Sequence, residues 1–217
     1  MLLSIPKLLT LAVALASTVT AVPVENQELE KRSGKMIIGY NTVSGKEAKE
    51  YKKKGTLTFY PVKDVRYQLG EGVYLAPNKG DLKTKTKGVG GVRHCVIRAD
   101  KNAMNRVSKA WVPEYHQRKF FLGIFKSKKK HLWGQGEKQI EGYIKNLEGS
   151  WDPKKTLRMS WVDYGNGKVH LAIPPGLLNG NGGGLGLTVE CKKKKEDLPD
   201  EKVNYDNWHE NIKGERG

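Results

Sequence analysis

Three shortages frame this chain: few cysteines, few acids against its bases, and no apolar run long enough to cross a bilayer. The cysteines are Cys95 and Cys191. Without a matching histidine pair they do not make a zinc site. The five histidines, His94, His116, His131, His170 and His209, lack the spacing of metal ligands. The apolar stretch Leu8 to Val19 is about a dozen residues, where a spanning helix needs ~20. No Gly-x-Ser-x-Gly marks a hydrolase nucleophile. The glycine-rich run Gly180 to Gly186 has no Lys-Ser/Thr of a phosphate loop and reads as a flexible connection. No RNA-recognition or zinc-finger signature accompanies the lysines, and there is no internal repeat.

What is present begins with targeting. Lys7 supplies a positive charge, Leu8 to Val19 an apolar core, and Val19 and Ala21 put small side chains at the −3 and −1 positions of a cleavage site. This is the layout of a signal peptide over residues 1–21. An acidic segment without apolar periodicity follows, Val22 to Glu30, and it ends in Lys31-Arg32. The tetrad Leu29-Glu30-Lys31-Arg32 resembles the substrates of kexin-type processing proteases of fungi. A pro-segment over 22–32 and a mature chain starting at Ser33 are the expectation. The protein is then secreted and extracellular, with no stable membrane anchor.

Acids number 23 against 39 lysines and arginines, a formal charge of +16. Residues 1–32 carry Lys7, Lys31 and Arg32 against Glu25, Glu28 and Glu30, so the whole excess belongs to the mature part. That part has about 185 residues, enough for one domain around a single core, and a monomer is expected. Its lysines gather at Lys52–Lys54, at Lys126 with Lys128–Lys130, and at Lys192–Lys195. Such runs suit an anionic partner, either nucleic acid or an acidic surface, and they also serve solubility. An even cysteine count in a secreted chain predicts a Cys95–Cys191 bridge.

The pattern of elements is mixed. Met36 to Tyr40 reads as a buried strand. Ser44 with Glu47 three residues on has capping-box spacing, and Gly55 is a stop, which predicts a helix over Gly45 to Lys54 with Ala48 and Tyr51 facing inward. Strands are expected near Val73 to Ala76, His94 to Arg98 and Trp111-Val112, the last cut short by Pro113. A short helix is expected over Asn102 to Val107. Ile140, Tyr143, Ile144 and Leu147 mark one face of a helix over Glu137 to Leu147. Leu157 to Val162 and Lys168 to Ile173 flank Asp163 to Gly167, whose residues suit a hairpin turn. Leu187 to Cys191 reads as the last strand. Beyond Lys195 the chain is charged and nearly free of aliphatics, and a flexible tail over 196–217 is expected. The sum is a compact α+β domain of short strands with a few helices over 33–195.

Two segments of this pattern carry a resemblance. Ile37-Ile38-Gly39-Tyr40-Asn41-Thr42 and Gln68-Leu69-Gly70-Glu71-Gly72-Val73-Tyr74, with the helix between them, resemble the early strand, helix and Leu-Gly-x-Gly-x-Tyr turn of the ADP-ribosyltransferase family. The resemblance implies an ADP-ribosyltransferase-like fold and NAD as the substrate. It also implies a secreted toxin or effector that transfers ADP-ribose to a host macromolecule. In those roles Tyr74 gives a stacking surface for the nicotinamide ring. Gly39 permits close backbone approach, and Tyr40 and Asn41 hold the ribose side. The three residues Tyr40, Asn41 and Tyr74 should then line one cleft. Asn41 stands where the family has His or Arg, and it can hydrogen-bond a ribose without carrying charge.

A carboxylate is needed to stabilise positive charge on the ribose. Three candidates rank in order. Glu141 lies in Gln139-Ile140-Glu141, similar to a Gln-x-Glu element of family toxins. Glu137 precedes it by one turn, and Glu114 follows Trp111-Val112-Pro113. Two other readings stand beside this one. The first is a catalytically inactive binding effector on the same fold. The second is a basic secreted ribonuclease-like protein using His116, Glu114 and Arg118, or His170 and Arg158.

Overall fold

The computed structural model describes residues 34–62, 65–82, 90–117, 119–120, 125–126, 128–162 and 167–216. The expected signal peptide and pro-segment, Arg118 and most of the Asp163 to Gly167 turn lie outside them. The chain is α+β, with two antiparallel or mixed sheets packed across one core and helices at their margins.

Strand β1 (Lys35–Ser44) pairs with β3 (Val92–Asp100), which pairs with β11 (Thr188–Lys192), all antiparallel. The second sheet has five strands: β12 (Ile212–Lys213), β4 (Lys109–Trp111), β9 (Leu157–Trp161), β10 (Val169–Ile173) and β2 (Val73–Leu75). The first three of these run parallel and the rest antiparallel. Just past β2, Ala76 and Tyr40 exchange main-chain hydrogen bonds of 2.9 and 2.8 Å, which stitches the two sheets together. Two small pairs, β5 (Tyr115–His116) with β8 (Lys130–His131) and β6 (Lys119–Phe120) with β7 (Phe125–Lys126), lie apart. The main core fills the space between the sheets with Leu75, Ile97, Met159, Leu171 and Ile173.

Helix α1 (Gly45–Lys54) forms as its residues dictate. The Ser44 hydroxyl accepts from the Glu47 amide at 3.2 Å, and Gly55 ends the helix at φ +66°, a left-handed value that glycine tolerates. Ala48 and Tyr51 are buried against the first sheet. Helix α2 (Lys101–Arg106) is capped by Asp100. Helix α3 (Glu137–Leu147) lays Ile140, Tyr143 and Ile144 on the far face of the second sheet, making a smaller core with Leu69, Val112 and Leu132.

The Cys95–Cys191 bond is present and links directly opposite residues of β3 and β11. The segment beyond Lys195 corrects the expectation of a flexible tail. Leu198, Val203 and Tyr205 are buried, the Tyr205 hydroxyl donates to the Ile38 carbonyl, and β12 completes the second sheet. The pattern misleads because these apolar residues are singletons in a charged stretch, with no period to mark them.

Candidate functional site

The site begins with the turn Tyr67 to Gly72, which enters β2. Gly70 sits at φ +81°, and a Cβ there would collide with the Glu137 carboxylate and the Arg158 guanidinium. Only glycine fits, so the turn is shaped by the pair behind it. Arg158 is completely buried. It donates to Glu137 from Nη2 at 2.5 Å and from Nη1 at 3.0 Å, and also to the Leu69 carbonyl at 2.9 Å. Glu137 in turn accepts from the Glu71 amide at 2.8 Å. A carboxylate at the start of α3 is thereby bound to the turn that carries Tyr74.

Tyr74 is fixed at both ends. Its hydroxyl donates to the Gly70 carbonyl and accepts from the Leu69 amide, both at 2.8 Å. Burial raises its phenol above the ordinary value, so it stays neutral. Tyr67 stacks on it with ring centres 6.1 Å apart and planes 19° apart, and Phe59 meets Tyr67 edge-on at 5.7 Å. On the other side His170 meets Tyr74 edge-on at 5.3 Å.

The rings of Phe59, Tyr67 and Tyr74 form one wall of a cleft of ≈ 370 Å³, and α1 forms the other. Asn41, Glu47, Phe59, Tyr67 and Tyr74 line it. Asn41 thus meets Tyr74 across a single cavity. Glu47 is held in place, since its carboxylate accepts from the Tyr51 hydroxyl at 3.0 Å. A second groove of ≈ 470 Å³ adjoins the cleft and shares Val62 and Tyr67 with it. Glu71, Glu137 and Arg66 line this second groove.

The other expected residues fall elsewhere. Tyr40 does not line the cleft. It is buried and donates to the main-chain oxygens of Glu201 (2.7 Å) and Pro199 (3.1 Å). The reason is strand geometry: β1 runs on to Ser44, and neighbours in a strand point to opposite faces. Tyr40 and Asn41 therefore cannot share a side. Gly39 approaches protein rather than a ligand, because a Cβ there would meet Leu75, the Tyr205 hydroxyl and the Ala76 carbonyl. Glu141 is half-exposed on α3 and lines neither cavity. Glu114 pairs with His131 at 3.6 Å, in the β5–β8 region. His170 and Arg158 do share a face of the second sheet, on β10 and β9, but both are buried there. His116 packs edge-on against Tyr143.

Sequence reasoning missed Tyr67, Phe59, Glu47 and Arg158 as parts of this site. Tyr67 had a readable signal, since it opens the same turn that ends in Tyr74. Arg158 had none, as an arginine inside a strand pattern gives no hint of its partner.

The architecture is that of a mixed α+β domain with an aromatic-walled cleft at the junction of its two sheets. The chain belongs to the family of unknown function DUF5910, whose profile matches residues 67–215. That span holds the Tyr67–Tyr74 turn, the Glu137–Arg158 pair and nearly all of the folded C-terminal segment. No curated protein matches the chain.

Proposed function

We propose that this chain is a secreted effector with an ADP-ribosyltransferase-like plan that binds an NAD-type dinucleotide, and that it acts by binding rather than by transfer. The single observation that carries the reading is that Asn41 and Tyr74, from the two family-like segments, line one cleft walled by α1. The cavity suits a flat heteroaromatic ring with a hydroxyl-rich neighbour, given Tyr67 and Phe59 at one side and the Asn41 amide at the other. Against transfer stands the uncharged Asn41; the three candidate glutamates Glu141, Glu137 and Glu114 do not line that cleft, and its carboxylates Glu47 and Glu50 come from α1 instead. The signal-like N-terminus and the dibasic Lys31-Arg32 support secretion, and the +16 charge supports an anionic host macromolecule as partner.

Titration calorimetry with NAD tests the reading. The wild-type protein should bind, and Tyr67→Ala and Asn41→Ala should each weaken binding by about 0.5–1.5 kcal/mol with little change in melting temperature. Absence of heat at millimolar NAD would sink it. A second reading has one observation behind it: the Glu137 groove adjoins the cleft through Val62 and Tyr67. If labelled NAD incubated with host extract yields free nicotinamide, and Glu137→Gln abolishes this, transfer replaces binding as the function.

A further inference from the structure

The three-stranded sheet has one open edge. Its β1 side is tied to the second sheet through Tyr40 and Ala76, whereas among the described residues β11 pairs only with β3. Antiparallel ladders alternate hydrogen-bonded pairs with closer pairs that exchange no hydrogen bonds. Cys95 and Cys191 face each other with Cα atoms 4.0 Å apart, the spacing of the closer kind. The main-chain N–H and C=O of Cys191, and of Val189 two residues earlier, therefore turn away from β3 toward the open edge. No backbone group outside the ladder bonds to them among the described residues.

A groove of ≈ 400 Å³ follows this edge. Val189, Glu190 and Cys191 line one side in succession, so the groove runs along the strand. Helix α1 lines the other with Lys49 and Lys52, and Arg93 contributes from β3. Those three cations make no ion pair among the described residues. Glu190, the single carboxylate of the lining, is already held by Lys192 at 2.8 Å and Arg98 at 3.5 Å. Two of the three lysine runs, Lys52–Lys54 and Lys192–Lys195, start on the elements that flank the groove. The groove offers no ring for a base to stack on, since Tyr51, its one aromatic, is buried.

From this we infer that the edge of β11 is a docking strand for an extended acidic segment of a partner protein. The segment adds as a fourth strand through the outward main-chain groups of Val189 and Cys191. Its carboxylates then meet Lys49, Lys52 and Arg93. Main-chain pairing supplies affinity in this mode, and the flanking side chains select the sequence. The inference is independent of the NAD reading, because the groove lies on the opposite flank of α1 from the aromatic cleft. The competing view is that the lysines only shield an exposed edge from aggregation.

The experiment is fluorescence anisotropy with the secreted protein and a labelled peptide of alternating glutamate and valine. A second peptide carries the same side chains with alternate amides N-methylated, and an oligothymidylate of equal charge serves as a third probe. The parent peptide should bind, the N-methylated one should bind roughly tenfold or more weakly, and the oligothymidylate should compete poorly. The triple change Lys49→Glu, Lys52→Glu, Arg93→Glu should weaken the parent peptide by a similar factor. Val189→Pro removes one outward N–H while leaving the ladder to β3, and should do the same without lowering the melting temperature much. If Val189→Pro misfolds, the N-methylated peptide and the charge variant still decide. Equal binding of both peptides, or tighter binding of the oligothymidylate, would mean attraction by charge alone and overturn the inference. No binding of the parent peptide would leave the lysines as edge protection and overturn it too.

Discussion

Arg158 is the residue on which the site leans most. A guanidinium with no solvent contact must have its charge met by the protein, and Glu137 meets it with two hydrogen bonds. Removing one partner of a buried pair strands the other, which costs about 3–5 kcal/mol. Glu137 is partly open to solvent, so the lower end applies. Glu137→Ala should therefore lower unfolding stability by about 3 kcal/mol in urea titration, and it should loosen the Gly70–Gly72 turn that holds Tyr74. If Glu137→Ala melts like wild type, the pair is not what shapes the turn. His170 makes a second prediction at this scale. Its Nε2 has no partner among the described residues, and burial pushes the imidazole down to about 4. Between that value and the ordinary ~6.5, the unfolded chain takes up a proton that the folded chain refuses. Stability is thus full above about pH 6.5 and falls as pH drops toward 4, by on the order of 2–3 kcal/mol. His170→Gln should flatten that part of the curve in melts run from pH 7 to pH 4.5, and an unchanged acid limb would contradict it.

Elements whose cause is local were legible in advance. Helix α1 has its cap, its buried face and its stop within twelve residues, Ser44 to Gly55, and reads correctly from them. Helix α3 declares itself through Ile140, Tyr143 and Ile144 at helical spacing. Strand faces were harder. The length of β1 decides where Tyr40 points, and that length depends on pairing with β3, some fifty residues away. The irregular register between Ile37 and Gly39 shifts the alternation once more, and nothing in Ile-Ile-Gly signals it. So Asn41 and Tyr74 do line one cavity, while Tyr40 lies on the other side of its strand. Which glutamate of α3 is tied to the Tyr74 turn was harder again to read, since Glu137 is distinguished from Glu141 only by Arg158 and the Gly70 turn reaching it. The disulfide, by contrast, followed from counting. It joins strands 96 positions apart in sequence, and a closed loop of that size is worth about 4–5 kcal/mol in the chain-entropy account. Changing both Cys95 and Cys191 to alanine should lower stability by about 2–5 kcal/mol. Chemical denaturation checks this, and a loss under 1 kcal/mol would show that the β3–β11 ladder holds itself.

At the scale of the whole molecule the C-terminal segment is a structural member, and its removal is a severe test. Residues 196–216 do three separate things. Leu198 and Val203 are buried in the main core, and Pro199 and Glu201 between them supply the acceptors of the Tyr40 hydroxyl. Tyr205 enters the main core and donates to Ile38. Ile212–Lys213 pairs with β4, while the Lys109 ammonium, pushed down to about 8 by burial, donates to the Glu210 carbonyl at 2.8 Å. Each large apolar side chain contributes ~1.5–3 kcal/mol on burial, so Leu198, Val203 and Tyr205 together reach roughly 5 kcal/mol or more. Single domains have only about 5–15 kcal/mol in total. A chain ending at Lys195 should therefore lose its cooperative melt and, in limited proteolysis, be cut throughout rather than at its end. The flexible-tail reading makes the opposite forecast: the truncated chain would melt within a degree or two of the full one, and protease would trim the intact protein back to Lys195. The family match running to residue 215 agrees with an integral segment. The physical argument is stronger than the match, because truncation removes Leu198, Val203 and Tyr205 from the main core and takes away both acceptors of the Tyr40 hydroxyl at once.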